Sequence, residues 1–142
     1  MIKIVGYQHV NGVSFGSEES AITSVFGEPN ARHVNDGDIE LHYPLCIARL
    51  QVDSKIFREF TLLPECEASV NDIRVQWSRA FLSEIQKADS SLFEVVGFVL
   101  SLKLGLAFSG FHDDDYSQMA IHAFCVGDWD MFQTRMKPIH FE

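Results

Sequence analysis

An alternation of apolar and polar residues runs through positions 38–63, and it constrains the fold more than any other feature of the sequence. Apolar side chains recur at every second position in two successive segments: Ile39, Leu41 and Tyr43, then Cys46, Ala48, Leu50 and Val52. The segment KIFREFTLL continues the pattern after a tight connection at residues 53–55. A period of two is the repeat of a β-strand with one buried face. The pattern therefore predicts an antiparallel meander with one solvent-exposed face.

Two other segments have the spacing of amphipathic helices. The first predicted helix begins at Ser17, a capping residue, and stops before Gly27 and Pro29. Its apolar stripe consists of Ala21, Ile22, Val25 and Phe26. The second predicted helix covers residues 78–88, and its apolar face consists of Trp77, Phe81, Leu82, Ile85 and Ala88. Each helix therefore offers one apolar stripe to a sheet.

The last third of the chain again has the composition of strands. The segment VVGFVLSLKLGLAFSGF, residues 95–111, is rich in β-branched and aromatic residues and is interrupted by glycines. It predicts a hairpin that turns at residues 103–105. A short strand at residues 67–70 also fits, before a turn at Asn71 and Asp72. The alternation that predicts the final strand consists of Met119, Ile121, Ala123 and Cys125.

These elements predict a single α+β domain over residues 1–142. A helix followed by a group of strands occurs twice along the chain, and no proline-rich or glycine-rich linker separates the two halves. Because each helix has one apolar stripe and each strand one apolar face, we expect both helices to pack on one face of antiparallel meander sheets. The pattern leaves open whether the two meanders form one sheet or two.

The charge of the chain limits its partners. The formal net charge is −9 and the isoelectric point is about 5.0, so the protein repels the phosphate backbone that supplies most nucleic-acid affinity. No apolar run approaches the roughly 20 residues of a membrane-spanning helix. The segment MIKIVGYQHV lacks a signal-peptide core. We expect no nucleic-acid or membrane partner, and a cytoplasmic location.

The cysteines and glycines show no catalytic pattern. Cys46, Cys66 and Cys125 are odd in number, widely spaced and set among apolar neighbours, which is typical of buried reduced thiols. A nucleophilic cysteine would need a base that stabilises its thiolate, whereas Cys66 stands between Glu65 and Glu67. The glycines form neither a phosphate-binding loop nor a nucleophile elbow. We expect no catalytic residue and no cofactor.

The first candidate binding residues are three consecutive aspartates. Asp113, Asp114 and Asp115 fit either a solvated loop that faces a partner or a site for a hard cation such as Ca²⁺ or Mg²⁺. Consecutive residues point to opposite sides of an extended chain, which disfavours a preformed metal cage. A transition-metal site would require three histidines on separate segments to converge: His42, His112 and His122. We expect no bound metal.

A second acidic cluster brackets a tryptophan in the segment VGDWD. Asp128 and Asp130 flank Trp129, which makes this ring a candidate for an exposed anchor, although packing in the core is the ordinary role of tryptophan. The segment 111–133 contains five aspartates and no lysine or arginine. We therefore predict that it forms a partner-facing surface.

The stretch VNGVSFGSEESAITSVFGEP, residues 10–29, resembles a pattern of small bacterial proteins of the SmpA/BamE type and of the related β-lactamase-inhibitor-protein-like fold. In those proteins a similar helix leads into an antiparallel meander. The residues that approximate the pattern are Gly16, Ser17, Val25, Phe26, Gly27 and Pro29. The resemblance implies a fold that usually binds other proteins and rarely catalyses a reaction. The chain departs from the lipoproteins of that group because no lipid-bearing cysteine lies near its start.

These observations favour a non-enzymatic protein that binds another protein. The later segments LGLAFSGF and VGDWD resemble small bacterial proteins, some of which we expect beside toxin genes. The concrete hypothesis is an immunity-like or adaptor protein whose acidic surface masks a basic partner. The alternative is a small metal-dependent enzyme or metal-binding protein that uses the loop formed by Asp113, Asp114 and Asp115. A homo-oligomer is a third alternative.

Overall fold

Strands dominate the structure, a computed structural model that describes residues 1–141. Strands account for 40% of the residues and helices for 18%. The strands are Ile2–Val5 (β1), His9–Val10 (β2), Val13–Ser14 (β3), Ala31–Val34 (β4), Asp38–Tyr43 (β5), Cys46–Gln51 (β6), Phe57–Leu62 (β7), Ala68–Val70 (β8), Ile73–Arg74 (β9), Leu92–Val95 (β10), Phe98–Ser101 (β11), Leu106–Ser109 (β12), Ala120–Phe124 (β13) and Lys137–Ile139 (β14). The α-helices are Glu19–Phe26 (α1) and Ala80–Ala88 (α2), and short 3-10 helices cover Tyr116–Gln118 and Asp130–Arg135.

Nine strands form one antiparallel sheet in the order β14-β10-β11-β12-β13-β7-β6-β5-β4. The strands β4 to β7 follow α1 as one meander, and the strands β10 to β13 follow α2 as another. The two meanders meet at β7 and β13, where Thr61 pairs with His122 and Phe60 pairs with Ala123. The central strand of the large sheet, β13, and its neighbour β7 therefore come from different halves of the chain.

A smaller sheet has the order β3-β2-β1-β8-β9. Its strands β1 and β8 are parallel, with Ile4 opposite Val70, and its other pairs are antiparallel. Asn11 and Gly12 connect β2 to β3 with φ values of 47° and 82°. Asn71 and Asp72 connect β8 to β9 with φ values of 47° and 67°. Two positive φ values in a two-residue connection are the mark of the type I′ turn, which matches the twist of a hairpin.

The prediction of an α+β fold is wrong, because the protein is mostly β and contains sheets of five and nine strands. Strands β2, β3 and β9 have two residues each, too few to show an alternation. Strand β4 was missed because three of its four residues are exposed. The expectation of purely antiparallel sheets also fails at β1 and β8, a pairing between segments that lie far apart in the sequence.

One apolar core lies between the nine-stranded sheet, the small sheet and the two helices. The large sheet contributes Leu41, Phe60 and Ile121, among others, and the small sheet contributes Ile4 and Val70. Both helices bury their apolar residues in this core: Ile22 from α1, and Phe81, Leu82 and Ile85 from α2. Each such side chain stabilises the fold by about 1.5–3 kcal/mol when it is fully buried. This face of the large sheet is called the covered face below.

The opposite face of the large sheet is apolar in one half and polar in the other. Val95, Leu100, Ala107 and Phe124 form a second apolar cluster, over which the C-terminal segment packs with Trp129, Phe132 and Met136. On β5, β6 and β7 this face instead carries Glu40, Arg49 and Glu59, which pair across neighbouring strands. This polar half, called the open face below, is where the charged groups of the protein come together.

The predicted helix boundaries are partly confirmed. Helix α1 ends at Gly27, whose φ of 82° suits glycine, but its N-cap is Glu18 and not Ser17. The backbone of Ser17 is instead held by β7, because the N–H of Phe57 donates to the Ser17 carbonyl oxygen at 2.8 Å. Helix α2 ends at the predicted residue and begins two residues later than predicted. Within residues 1–141, no helix is long and apolar enough to cross a membrane.

The predicted turn at residues 103–105 is confirmed, because it separates β11 from β12, which pair. The final predicted strand is also present as β13. An additional strand, β10, precedes this hairpin and was not predicted. Val96 and Gly97 connect β10 to β11 with φ values of 50° and 83°, which again are the angles of a type I′ turn.

Candidate functional site

The predicted aspartate loop lies between β12 and β13. Asp113 and Asp114 are exposed, and Asp114 has a φ of 52°. Asp115 accepts hydrogen bonds from the backbone N–H and the hydroxyl group of Ser117, at 3.1 and 2.6 Å. It therefore caps the 3-10 helix that follows it. One aspartate thus has a structural role, and the other two project from a turn.

Other chain segments surround this loop with both signs of charge. The Tyr116 hydroxyl group donates a 2.5 Å hydrogen bond to Glu65, in the connection between β7 and β8. On the other side, Arg79 Nε donates to the His112 carbonyl oxygen at 3.1 Å, and its guanidinium lies 5.5 Å from the centre of the Phe141 ring. Arg79, at the start of α2, therefore places a cation beside the acidic loop.

The second predicted cluster, Asp128, Trp129 and Asp130, lies beyond the opposite end of β13. Asp130 is exposed, whereas Asp128 and Trp129 are half-buried. The Trp129 ring lies 5.2 Å from Phe98, 6.0 Å from Phe124 and 5.3 Å from Phe132, measured between ring centroids. Trp129 therefore holds the C-terminal segment against the sheet.

Two apolar side chains next to this cluster face solvent. Val126 is 77% exposed and Met131 is 78% exposed, the highest values among the large hydrophobic residues of the described chain. They bracket Asp128 and Asp130 in sequence. The surface of residues 126–131, called the C-terminal patch below, thus combines carboxylates with exposed apolar groups.

Arg58 anchors the C-terminal patch to the large sheet. Its Nη1 donates to Asp128 Oδ2 at 2.7 Å, and its Nε and Nη2 donate to the two carboxylate oxygens of Asp38 at 2.5 and 2.8 Å. Glu59 lies 3.7 Å from the same Nη1. Hydrogen bonds to the Asp38 carboxylate, together with the charges of the three carboxylates, raise the pKa of Arg58 and so keep its charge.

A second arginine connects the carboxylates of the open face. Arg49 donates from Nε to Glu40 at 2.9 Å and from Nη1 to Glu59 at 2.8 Å. Glu40 also contacts His42 at 3.1 Å, and Glu59 contacts His122 at 3.3 Å. Burial raises the pKa of each glutamate, but the hydrogen bonds and charges of these partners outweigh burial, so the pKa of both is lowered. Both glutamates therefore remain ionised.

Two cavities lie on either side of the Arg58–Asp128 ion pair, and Gln51 lines both of them. The first, of about 550 Å³, has mainly apolar walls that include Tyr7, Phe15, Ile56, Phe57 and Val126. The second, of about 370 Å³, is lined on its far side by Trp129, Met131 and Phe132. The first cavity is called the apolar cleft below.

The histidines do not form a metal centre. His42 and His122 lie on β5 and β13, which are separated by β6 and β7, so their backbones are about 14 Å apart at the usual strand spacing. His112 lies in the aspartate loop, beside Phe141. Within residues 1–141 no group of three histidine, cysteine or acidic residues is placed to hold a metal ion.

The three cysteines are free thiols. Burial raises the pKa of Cys46 to about 12 and also raises the pKa of Cys66. Cys125 is half-buried, and burial and the charge of Asp128 raise its pKa, although Arg58 acts in the opposite direction. A thiol with a raised pKa is a weak nucleophile at neutral pH. None of the three is therefore activated for nucleophilic catalysis.

No family model matches the sequence, and no curated protein or solved structure shows significant similarity to it. The resemblance to proteins of the SmpA/BamE type therefore stays an expectation. The candidate site rests on its geometry alone.

Arg58 and the cleft beside it were not predicted from the sequence. A signal was present: Arg58 and Glu59 stand together between Phe57 and Phe60, which breaks the alternation. In the structure the register between β6 and β7 shifts at this point, after Arg49. Such a bulge changes the direction in which the side chains of the strand point, and here it brings Arg58 between Asp38 and Asp128.

Proposed function

We propose that the protein acts by binding another protein, a basic one, through the C-terminal patch. The observation that supports the proposal is that Asp128 and Asp130 lie between the two most exposed large hydrophobic side chains of residues 1–141, Val126 and Met131. Protein interfaces combine an apolar centre with a charged rim. An exposed apolar group next to carboxylates therefore fits a partner that offers an apolar contact surrounded by lysine and arginine.

The aspartate loop contributes to the same function at a distance. Asp113 and Asp114 are exposed, and the protein as a whole has a net charge of −9. Exposed charges of one sign attract an oppositely charged partner before contact and speed its association. We assign steering to this loop and close contact to the C-terminal patch.

In its more specific form, the proposal is an immunity-like or adaptor protein that masks a basic surface. Proteins that bind nucleic acid carry basic surfaces of this kind. An acidic protein that covers such a surface competes with the phosphate backbone for the same lysines and arginines. This form predicts that the partner loses its affinity for nucleic acid when it is bound.

The experiment uses a partner captured from the source cell, identified and purified, and measures association and dissociation rates by surface plasmon resonance. The variant Val126→Ser/Met131→Ser should dissociate at least about tenfold faster, because loss of an apolar contact acts mainly on dissociation. The variant Asp113→Asn/Asp114→Asn/Asp115→Asn should associate more slowly and show a weaker salt dependence. Its fold should persist, because asparagine also caps helices.

The matched control is Val25→Ser, since Val25 is an exposed apolar residue on α1, away from the C-terminal patch. This variant should leave both rate constants unchanged. The proposed surface is not the binding surface if the patch variant and the control have the same rate constants. The same conclusion holds if the association rate changes neither with salt concentration nor on substitution of the aspartates.

A further inference from the structure

The apolar cleft is large enough for a side chain of another molecule. Its volume of about 550 Å³ lies within the usual range of ligand pockets, about 300–1,000 Å³. The rings of Tyr7 and Phe15 form part of its wall, and Val126 of the C-terminal patch forms part of its rim. The cleft is therefore continuous with the surface that we assign to partner binding.

The charged wall of the cleft favours a cation. Arg58 and Asp128 line the cleft, but the guanidinium of Arg58 also contacts Asp38 and Glu59, two carboxylates behind the lining, so Asp128 shares this cation with two other carboxylates. Among the described residues, Arg58 is the one donor to the Asp128 side chain, and it binds Oδ2. The second oxygen of Asp128, Oδ1, thus has no donor from residues 1–141.

The pKa of Asp128 is affected by the same neighbouring carboxylates. Burial raises its pKa, and the charges of Glu59 and Asp38 act in the same direction, while Arg58 acts against them. The net result is a raised pKa, although the carboxylate already has an ion-pair partner. A second cation at Asp128 would stabilise its charged form.

The geometry points to a specific occupant: the apolar cleft receives an arginine side chain of the basic partner, with the guanidinium at Asp128 and the aliphatic stem against Phe15 and Val126. This inference rests on the proposed function and deepens it. Arginine suits the cleft better than lysine, because a guanidinium is weakly hydrated and stacks on aromatic rings such as that of Tyr7. Its planar fork also matches a carboxylate.

The test needs no partner. The full chain, labelled with ¹⁵N, is titrated with the peptide Ac-Gly-Arg-Gly-NH₂ and with its citrulline counterpart, which has nearly the same shape without the charge. The arginine peptide should shift the amide signals of residues that line the cleft, such as Tyr7, Phe15 and Val126. The citrulline peptide should bind at least about tenfold more weakly, which corresponds to about 1.4 kcal/mol.

Two variants locate the cation. Asp128→Asn should weaken binding of the arginine peptide at least about tenfold, whereas the control Glu84→Gln, an exposed position on α2 outside the cleft lining, should leave the affinity unchanged. Ser54→Asp adds a negative charge to the exposed rim of the cleft and should tighten binding about twofold or more. This second variant keeps the test decisive if Asp128→Asn does not fold.

Several results would overturn the inference. Equal binding of the arginine and citrulline peptides would show that charge is not recognised, and shifts confined to the aspartate loop would place the cation elsewhere. A dimer in analytical ultracentrifugation that shields the cleft from the peptide would make a second copy of the chain the occupant.

The outcome also separates this inference from the proposed function. If the peptide does not bind but Val126→Ser/Met131→Ser still weakens the partner complex, the cleft assignment fails and the proposed function stands. If the peptide binds in the cleft but Val126→Ser/Met131→Ser leaves partner binding unchanged, the proposed function fails and the guanidinium site stands.

Discussion

Arg58 Nη1 lies 2.7 Å from Asp128 Oδ2 and so joins β7 to a residue 70 positions later in the chain. The same guanidinium holds Asp38 on β5 through two hydrogen bonds. This arrangement fixes the start of the C-terminal patch against the large sheet. The Arg58 side chain therefore helps to set the position of Asp128, together with the packing of Trp129 and the backbone hydrogen bond from Cys125 N–H to the Arg58 carbonyl oxygen.

Arg58→Ala should lower the free energy of unfolding by about 2–3 kcal/mol, because it leaves partly buried carboxylates without their charged hydrogen-bond donor. Arg32→Ala is the control, since Arg32 pairs with Glu19 on the exposed surface at 3.3 Å. That substitution should change the free energy by about 0.5 kcal/mol or less. Urea denaturation at pH 7 measures both, and equal effects would show that Arg58 does not anchor the patch.

Acid should destabilise the protein in part through Glu59. Burial raises the pKa of this residue, but His122, Arg49 and Arg58 together lower it. A carboxyl group with a lowered folded-state pKa stabilises the fold above its unfolded pKa, about 4.3 for glutamate, and this contribution is lost as the pH falls through the folded value.

Glu59→Gln should therefore reduce the loss of unfolding free energy between about pH 5 and pH 2.5. Urea denaturation at a series of pH values measures this slope. Glu84→Gln removes an exposed glutamate whose ion pair, among the described residues, is with Lys87, and it should leave the slope unchanged. A Glu59→Gln slope identical to that of the wild type would mean that the contacts of Glu59 are not formed in solution.

Calorimetric titration with Ca²⁺, Mg²⁺ or Mn²⁺ should show no binding tighter than about the millimolar range of weak oxygen sites. The physical reason is that Asp115 is occupied as a cap, while Asp113 and Asp114 project from a turn and residues 1–141 place no third ligand beside them. Micromolar binding that Asp114→Asn abolishes would support the alternative hypothesis of a metal-dependent protein.

Gly6→Ala should be strongly destabilising. A Cβ atom at this position would lie 2.1 Å from the carbonyl oxygen of Leu104, so the turn between β1 and β2 and the turn between β11 and β12 would have to move apart. We expect a loss of about 3 kcal/mol. At Gly37 an added Cβ atom would meet no described residue within 4 Å apart from its chain neighbours, so Gly37→Ala should stay within about 0.5 kcal/mol of the wild type. Thermal unfolding of the two variants checks this difference.

The parts of the fold that were predictable are those with a local cause. The alternation around Leu41, Ala48 and Leu50 is visible in the sequence, and these residues are buried as expected. Helix α1 stops at Gly27 because glycine adopts the required φ without strain. Part of the small sheet was predicted, because the strand at residues 67–70 is present as β8 and the turn at Asn71 and Asp72 follows it. Strands β2 and β3 were missed, although the dipeptide Asn11-Gly12 is a strong local signal for a tight hairpin.

The candidate site was only partly predictable, because its decisive contacts join distant segments. The sequence shows that Asp128 and Asp130 flank Trp129, but not that Trp129 packs on Phe98. It also gives no indication that Arg58 meets Asp128. Such pairs depend on the order of strands in the sheet, and no local pattern encodes the contact between β7 and β13.

The contact between β7 and β13 also has a consequence during synthesis of the chain. Strand β7 emerges from the ribosome with β6 on one side, and its partner on the other side is complete only when residue 124 has been made. Until then β7 presents an open edge of unpaired backbone groups, which is a template for strands of other chains. The nascent protein is therefore most prone to aggregation while its second half is being translated.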